Sequence, residues 1–279
     1  DNRTLYFAAN KIFKSTNRGD SWTKISEDLT RKIDRNTLKV MGKVWPPESV
    51  AKNQSTSVYG NIVSLDESPL EKGLLYVGTD DGLIQVSKDD GKSWNRTTYV
   101  SDITASLHNE NVVYATFDNR KNGDFKPYII MSKDMGNSWN SITGNLPENL
   151  PVHSIVQDHL DKDLLFIGTE FGVYFTKDNG KNWVKFSNGL PTISIREIDI
   201  QRRENDLALA SFGRGFYILD NYSPIREASK EILEKDAHIF NIKDALMYIE
   251  DRSKGRNSLG KTYYRADNPE FGVNVTYYI

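Results

Sequence analysis

Three carboxylates, Asp80, Asp118 and Glu170, each stand just beyond an apolar run that reads as a strand: "LLYVGT", "VVYATF" and "LLFIGT". Two such groups about 5–9.5 Å apart across a sugar are what glycoside hydrolysis requires, one as acid and one as base or nucleophile. Asp80 opens an Asp-Asp-Gly turn, where aspartate is favoured for backbone reasons alone, whereas Glu170 before Phe171-Gly172 answers no such need. Asp81, Arg120, Arg214 and Trp45 are the candidates for holding a ligand. Arg214 lies between Gly213 and Gly215, which let backbones approach, and its guanidinium suits a carboxylate taken through two hydrogen bonds. A structural salt bridge is the plainer role for the same residue.

Other chemistry finds little footing. His108, His153, His159 and His238 show no metal-ligand spacing, and the chain has no cysteine. "GRGF" and "GTDDG" are too short for phosphate loops and open no helix. The twelve-residue calcium-loop spacing is absent. No metal and no cofactor are expected. Sequons stand at Asn2, Asn53, Asn95, Asn221 and Asn274, and matter only in a host that glycosylates them.

The elements that must position these groups follow from a repeat. "STNRGDSW" (15–22), "SKDDGKSW" (87–94), "SKDMGNSW" (132–139) and "TKDNGKNW" (176–183) share one pattern. Its members are Ser15, Asn17, Gly19 and Trp22; Ser87, Asp89, Gly91 and Trp94; Ser132, Asp134, Gly136 and Trp139; Thr176, Asp178, Gly180 and Trp183. Asp89, Asp134 and Asp178 follow at intervals of 45 and 44 residues, while Asn17 precedes Asp89 by 72. A period of about 40–50 residues built from short strands is that of β-propeller blades, four antiparallel strands each. The box falls in the turn between third and outer strands, where aspartate takes backbone amides and glycine supplies positive φ. A set that recurs in every blade cannot converge on one substrate, so its role is structural. The box tryptophans are expected to pack between sheets, with truncation of Trp94, Trp139 or Trp183 costing about 3–5 kcal/mol.

The repeat resembles the Asp-box, or BNR repeat, of sialidases, xyloglucanases and sortilin-type propellers. "ISEDLTR", "SPLEKGLLYVGTDDGLIQVSKDDGKSW", "GDFKPYIIMSKDMGNSW", "LLFIGTEFGVYFTKDNGKNW" and "DLALASFGRGFYILDNYSPIRE" resemble the later blades of large exported bacterial sortilin-like proteins, often labelled glycosyl hydrolases by fold alone. The resemblance implies a secreted propeller, extracellular, periplasmic or at the cell surface, followed by a β-sandwich-like module. It implies no settled reaction. A sialidase would need an arginine cluster, for which Arg120, Arg196 and Arg214 are available, and a tyrosine nucleophile.

The expected fold is therefore all-β. A partial propeller of four to five blades spans 1–222, with an insertion at 28–59. A helix and a closing strand follow over 223–249, with Ser223 as N-cap, Pro224 at the first helical position, and Ala237–Ile242 as the strand. A linker covers 250–268, and 269–279 begins a further β domain, with Val273, Val275, Tyr277 and Ile279 on one face. The first blade lacks an inner strand and the last an outer one, so more chain, from the same polypeptide or another subunit, is expected to complete the ring. The opening "DNRTLYFAAN" reads as the start of a fragment or of a processed product.

The 279 residues are 38% apolar and carry a net charge of −2, which gives no electrostatic case for nucleic acid or membrane insertion. Three functions remain. One is a non-catalytic module that binds protein, peptide or glycan on the face opposite the boxes. The second is a glycoside hydrolase of xyloglucanase or sialidase type. The third is a structural segment of a larger surface assembly. Trp45 is the only tryptophan outside a box, and that scarcity of sugar platforms favours binding.

Overall fold

Short apolar runs separated by Asp-Gly, Asn-Gly and Gly-Xaa turns favour antiparallel meanders, and the computed structural model of the chain is built from them. It describes residues 3–54, 59–98, 102–120, 123–245 and 272–279, with backbone alone over 95–98. The first of its two units, Asp1–Asp220, holds six sheets, five of them blades and one a two-stranded hairpin.

The first blade has three strands, β1 (Leu5–Ala8), β2 (Ile12–Ser15) and β3 (Thr23–Lys24). The insertion that follows forms a small hairpin, β4 (Lys39–Val40) and β5 (Lys43–Val44). The second blade comprises β6 (Ile62–Glu67), β7 (Leu75–Thr79), β8 (Leu83–Ser87) and β9 (Asn95–Thr98). The third comprises β10 (Asp102–Ala105), β11 (Val113–Phe117), β12 (Tyr128–Ser132) and β13 (Asn140–Ser141). The fourth comprises β14 (Val152–Gln157), β15 (Leu165–Thr169), β16 (Gly172–Thr176) and β17 (Val184–Phe186). The fifth has β18 (Ile195–Gln201), β19 (Asp206–Ser211) and β20 (Phe216–Leu219). Within each blade every strand pairs antiparallel with the next in the chain. Because direction alternates, the box turns emerge at one end of the strands and the second-to-third-strand loops at the other.

Register makes the blades comparable residue by residue. Leu5, Leu75, Val113, Leu165 and Leu207 each pair with the last residue of the following strand: Ser15, Ser87, Ser132, Thr176 and Leu219. The core lies in layers between successive blades. Tyr76, Ile84 and Val86 of the second blade meet Val113 and Ala115 of the third. Tyr114, Ile129 and Met131 of the third meet Leu165, Ile167 and Trp183 of the fourth.

Three of the four box tryptophans lean on the blade before their own. Trp94 joins the cluster with Ile12, Trp139 the cluster with Tyr76, and Trp183 the cluster with Tyr114. Depth varies, which corrects a uniform expectation of burial. Trp183 is 4% exposed, Trp94 and Trp139 are half-buried, and Trp22 is 44% exposed. The first blade has no described blade before it, so Trp22 rests edge-on to Phe7 of its own sheet at 6.3 Å.

The second unit, Asn221–Ile279, departs from expectation in three places. The helix is broken into α1 (Ser223–Glu227) and α2 (Lys230–Leu233), because Ala228 leaves helical geometry at ψ 119°. Ser223 lies inside α1 and caps nothing. The capping side chain is Ser229, whose hydroxyl accepts from the Ile232 amide at 3.3 Å. Finally β21 (His238–Ile239) pairs with β22 (Tyr277–Tyr278), so the segment expected as an outer strand of the fifth blade joins the C-terminal strand instead. The expected linker, 250–268, lies outside the described residues. Among the described residues no helix is long and apolar enough to cross a membrane.

Candidate functional site

The box turns close on themselves. In each, the Ser or Thr hydroxyl donates to the carboxylate two residues on, at 2.8, 2.7 and 2.7 Å for Ser87, Ser132 and Thr176. The same hydroxyl accepts the glycine amide four residues on, at 2.8, 2.8 and 3.1 Å. The carboxylates accept the amides of Ser93, Ser138 and Asn182, all at 2.8 Å. Bonds from Ser93 and Ser138 hold Asp89 and Asp134 down at about 2. Asn17 substitutes in the first box, its amide oxygen accepting from Ser15 at 2.9 Å and from the Ser21 amide at 3.0 Å. Glycine is obligatory at Gly180, where φ is +87° and a Cβ would stand 2.7 Å from the Ile142 carbonyl.

At the opposite end of the strands the candidates separate into two groups. Asp80 and Asp81 are occupied by backbone. Asp80 accepts the amides of Gly60 and Asn61 at 3.1 and 2.7 Å, and buried Asp81 accepts the Thr79 hydroxyl and the Arg31 amide at 2.6 and 2.5 Å. They tie the insertion to the second blade. Asp118, Arg120 and Glu170, by contrast, converge across the third and fourth blades. Arg120 grips Asp118 through Nε and Nη2 at 2.9 and 2.8 Å and reaches Glu170 through Nη1 at 2.6 Å.

Two further residues complete this cluster. His153, at the start of β14, lies 2.9 Å from Glu170 through Nε2 and 3.4 Å from Arg196 Nη1 through Nδ1. An arginine can only donate, so Nδ1 accepts and the proton sits on Nε2. Burial lowers the His153 pKa, and Arg196 and Arg120 lower it further against the pull of Glu170, which keeps the ring neutral at neutral pH. Burial alone would raise Asp118, but the bonds and charge of Arg120 hold it below the usual carboxylate range. The group thus consists of two carboxylates locked by two guanidinium groups and a neutral imidazole. Arg196 also stacks over Phe212 at 5.2 Å.

Arg214 takes no part in these ion pairs and is exposed in the β19–β20 loop. Trp45 is in the insertion hairpin, its indole donating to the Val40 carbonyl at 3.1 Å with the Lys43 ammonium over the ring at 4.8 Å. Around the cluster, three successive blades each expose a phenylalanine from this loop set: Phe125, Phe171 and Phe212. No pattern at the level of residue spacing marked these, because each is a single residue in a polar loop.

A second polar region was also missed. The inner strands enclose a cavity of about 500 Å³ lined by Asp66, Asp102, Glu197 and Asp199, with Ser64 and Gln157. Burial pushes Asp66 up to about 6, and partial desolvation with the charge of Asp102 pushes Glu197, exposed overall, up to about 7. Burial raises Asp102 as well. These groups serve the backbone: Ser64 accepts the Ile103 amide at 3.0 Å, Asp66 that of Ala105 at 2.7 Å, and Asp102 that of Ile155 at 3.0 Å. Each acceptor belongs to the preceding blade, and each amide lies on the inner edge of the following one. The clue was present in "NIVSLD", "DITASL" and "REIDI", whose polar residues occupy inner-strand positions that an apolar-core reading passes over. Among the described residues no group of three His, Asp or Glu is placed to hold a metal ion.

The fold is that of β-propeller proteins. An ancestral GH74 enzyme superposes with a TM-score of 0.55 at 19% identity, over 76% of this chain and 26% of its own. The GH74 xyloglucanase of Xanthomonas campestris gives 0.53 at 10% identity, over 81% and 35%. The β-propeller domain of Cps50 (Swd1) from Myceliophteria thermophila gives 0.52 at 12% identity, over 78% and 61%. The chain thus spans about a quarter to a third of the length of these GH74 enzymes. No family model matches the chain, and no curated protein does.

Proposed function

We propose that this chain is part of an exported, non-catalytic propeller whose loop face binds a protein or peptide. We read its box as the Asp-box repeat and its relatives as sortilin-like propellers with further blades. The observation that carries the reading is Arg120. One guanidinium bridges Asp118 and Glu170, the two candidate carboxylates that come together, at 2.8 and 2.6 Å. A glycosidase acid must hold a proton near neutral pH and stand free to give it up. Asp118 is held ionised by the same arginine, which also engages Glu170, so neither carboxylate stands free of the ion pair. What the face offers instead is an ion-locked floor with Phe171, Phe212 and Arg214 exposed around it. Exposed aromatic and arginine side chains on rigid loops are the usual anchors of protein contacts.

A glycoside hydrolase is the second reading, favoured by the fold likeness to GH74 enzymes. One experiment separates them. The chain is incubated with xyloglucan and with sialyllactose, and in parallel laid on a random peptide array. Peptide capture that fails in Phe171→Ser and Phe212→Ser, with no sugar released, supports binding. Sugar release that disappears in Glu170→Gln supports hydrolysis.

A further inference from the structure

We propose that the outward face of the fifth blade is a seat for one more blade of the same repeat type. This goes beyond the binding reading and stands without it. In register, Phe216 and Ile218 occupy the places of Ile84 and Val86 in the second blade and of Ile129 and Met131 in the third. Those four side chains are buried against the next blade, yet Phe216 is 78% and Ile218 57% exposed. The first blade carries the complementary row. Leu5 and Phe7 stand where Leu75 and Val77, Val113 and Ala115, and Leu165 and Ile167 meet the blade before, and they are 43% and 60% exposed. Exposed Trp22 belongs to the same row. The two end faces are therefore the two halves of an interface that recurs between successive blades inside the molecule.

Hydrogen bonding points the same way. By register, Glu197 occupies the position of Ser64 and Asp102, and Asp199 that of Asp66. Those three accept inner-edge amides of the following blade. Among the described residues Glu197 and Asp199 accept only the amides next to them, of Ile198 at 3.3 Å and Ile200 at 2.8 Å. The occupant is thus a blade with an apolar second-strand row, a box tryptophan, and an inner strand whose edge amides take up Glu197 and Asp199. Burying such a row is the same apolar gain that holds the internal blades together.

The chain supplies its own probe, since its first blade carries the row. Phe7→Glu spoils the row and leaves the seat, while Ile218→Glu spoils the seat and leaves the row. Both positions are more than half exposed, so neither charge opposes folding, which circular dichroism verifies. In sedimentation velocity each variant is expected to be monomeric, and their equimolar mixture to form a one-to-one complex. Adding Trp22→Ala to the Ile218→Glu partner should weaken that complex on the order of tenfold. A mixture that stays monomeric, or either variant associating with itself, would overturn the proposal.

Discussion

The two ends of the same strands use similar residue types to opposite purpose. At the box end each aspartate is satisfied within eight residues by its own turn, as with Asp134 between Ser132 and Ser138. At the loop end Asp118 and Glu170 are satisfied by an arginine shared between blades, with His153 and Arg196 from inner strands behind them. Locality is the difference. A turn that meets its own needs can be copied into every blade, whereas a network that needs three blades exists once. Function is sought in the second kind of structure.

The largest expected effect tests whether a box residue owes its stability to its own turn or to its neighbour. Trp183→Ala should lower unfolding free energy by about 3–5 kcal/mol, and Trp22→Ala by less than about 1 kcal/mol, in chemical denaturation. Equal losses would mean that the preceding blade is irrelevant. Next, Arg120→Ala leaves Asp118 and Glu170 without their shared cation and should cost about 2 kcal/mol, a half-buried pairing being worth less than a fully buried one.

The smallest effect concerns the cavity between the inner strands. Glu197, raised to about 7, is charged at an energetic cost above that pH, and the cost vanishes below its unfolded value near 4.5. Glu197→Gln should therefore stabilise the chain at pH 8 by about 1 kcal/mol, discounted for the exposure of the carboxylate, and leave it unchanged at pH 4. Stabilisation that grows toward acid would reverse the sign and remove desolvation as the cause.

The blades were legible in sequence because their determinants are local. β8, β12 and β16 each end on the first residue of a box, so the repeat read from the sequence marks where every such strand turns. Depth was not legible, since Trp22 and Trp183 sit in matching boxes and differ only in what lies beside them. Nor was the broken helix, where the Ile225, Ala228, Ile232 spacing is compatible with one helix and the backbone turns at Ala228. In the candidate site, Asp118, Arg120 and Glu170 could be named, but that one arginine would bind both carboxylates depends on how the third and fourth blades abut. His153 looked like any lone histidine until the fold set it 2.9 Å from Glu170.

The contrast between the two faces is tested most directly with two exposed aromatics, one at each end. Phe212 is 70% exposed on the loop face and Trp22 is 44% exposed beside a box. The chain, Phe212→Ser and Trp22→Ser would be laid on the same peptide array at equal concentration. The account predicts capture by the chain and by Trp22→Ser, and loss in Phe212→Ser. Capture that survives Phe212→Ser and fails in Trp22→Ser would contradict it, and would move recognition to the face built from repeats.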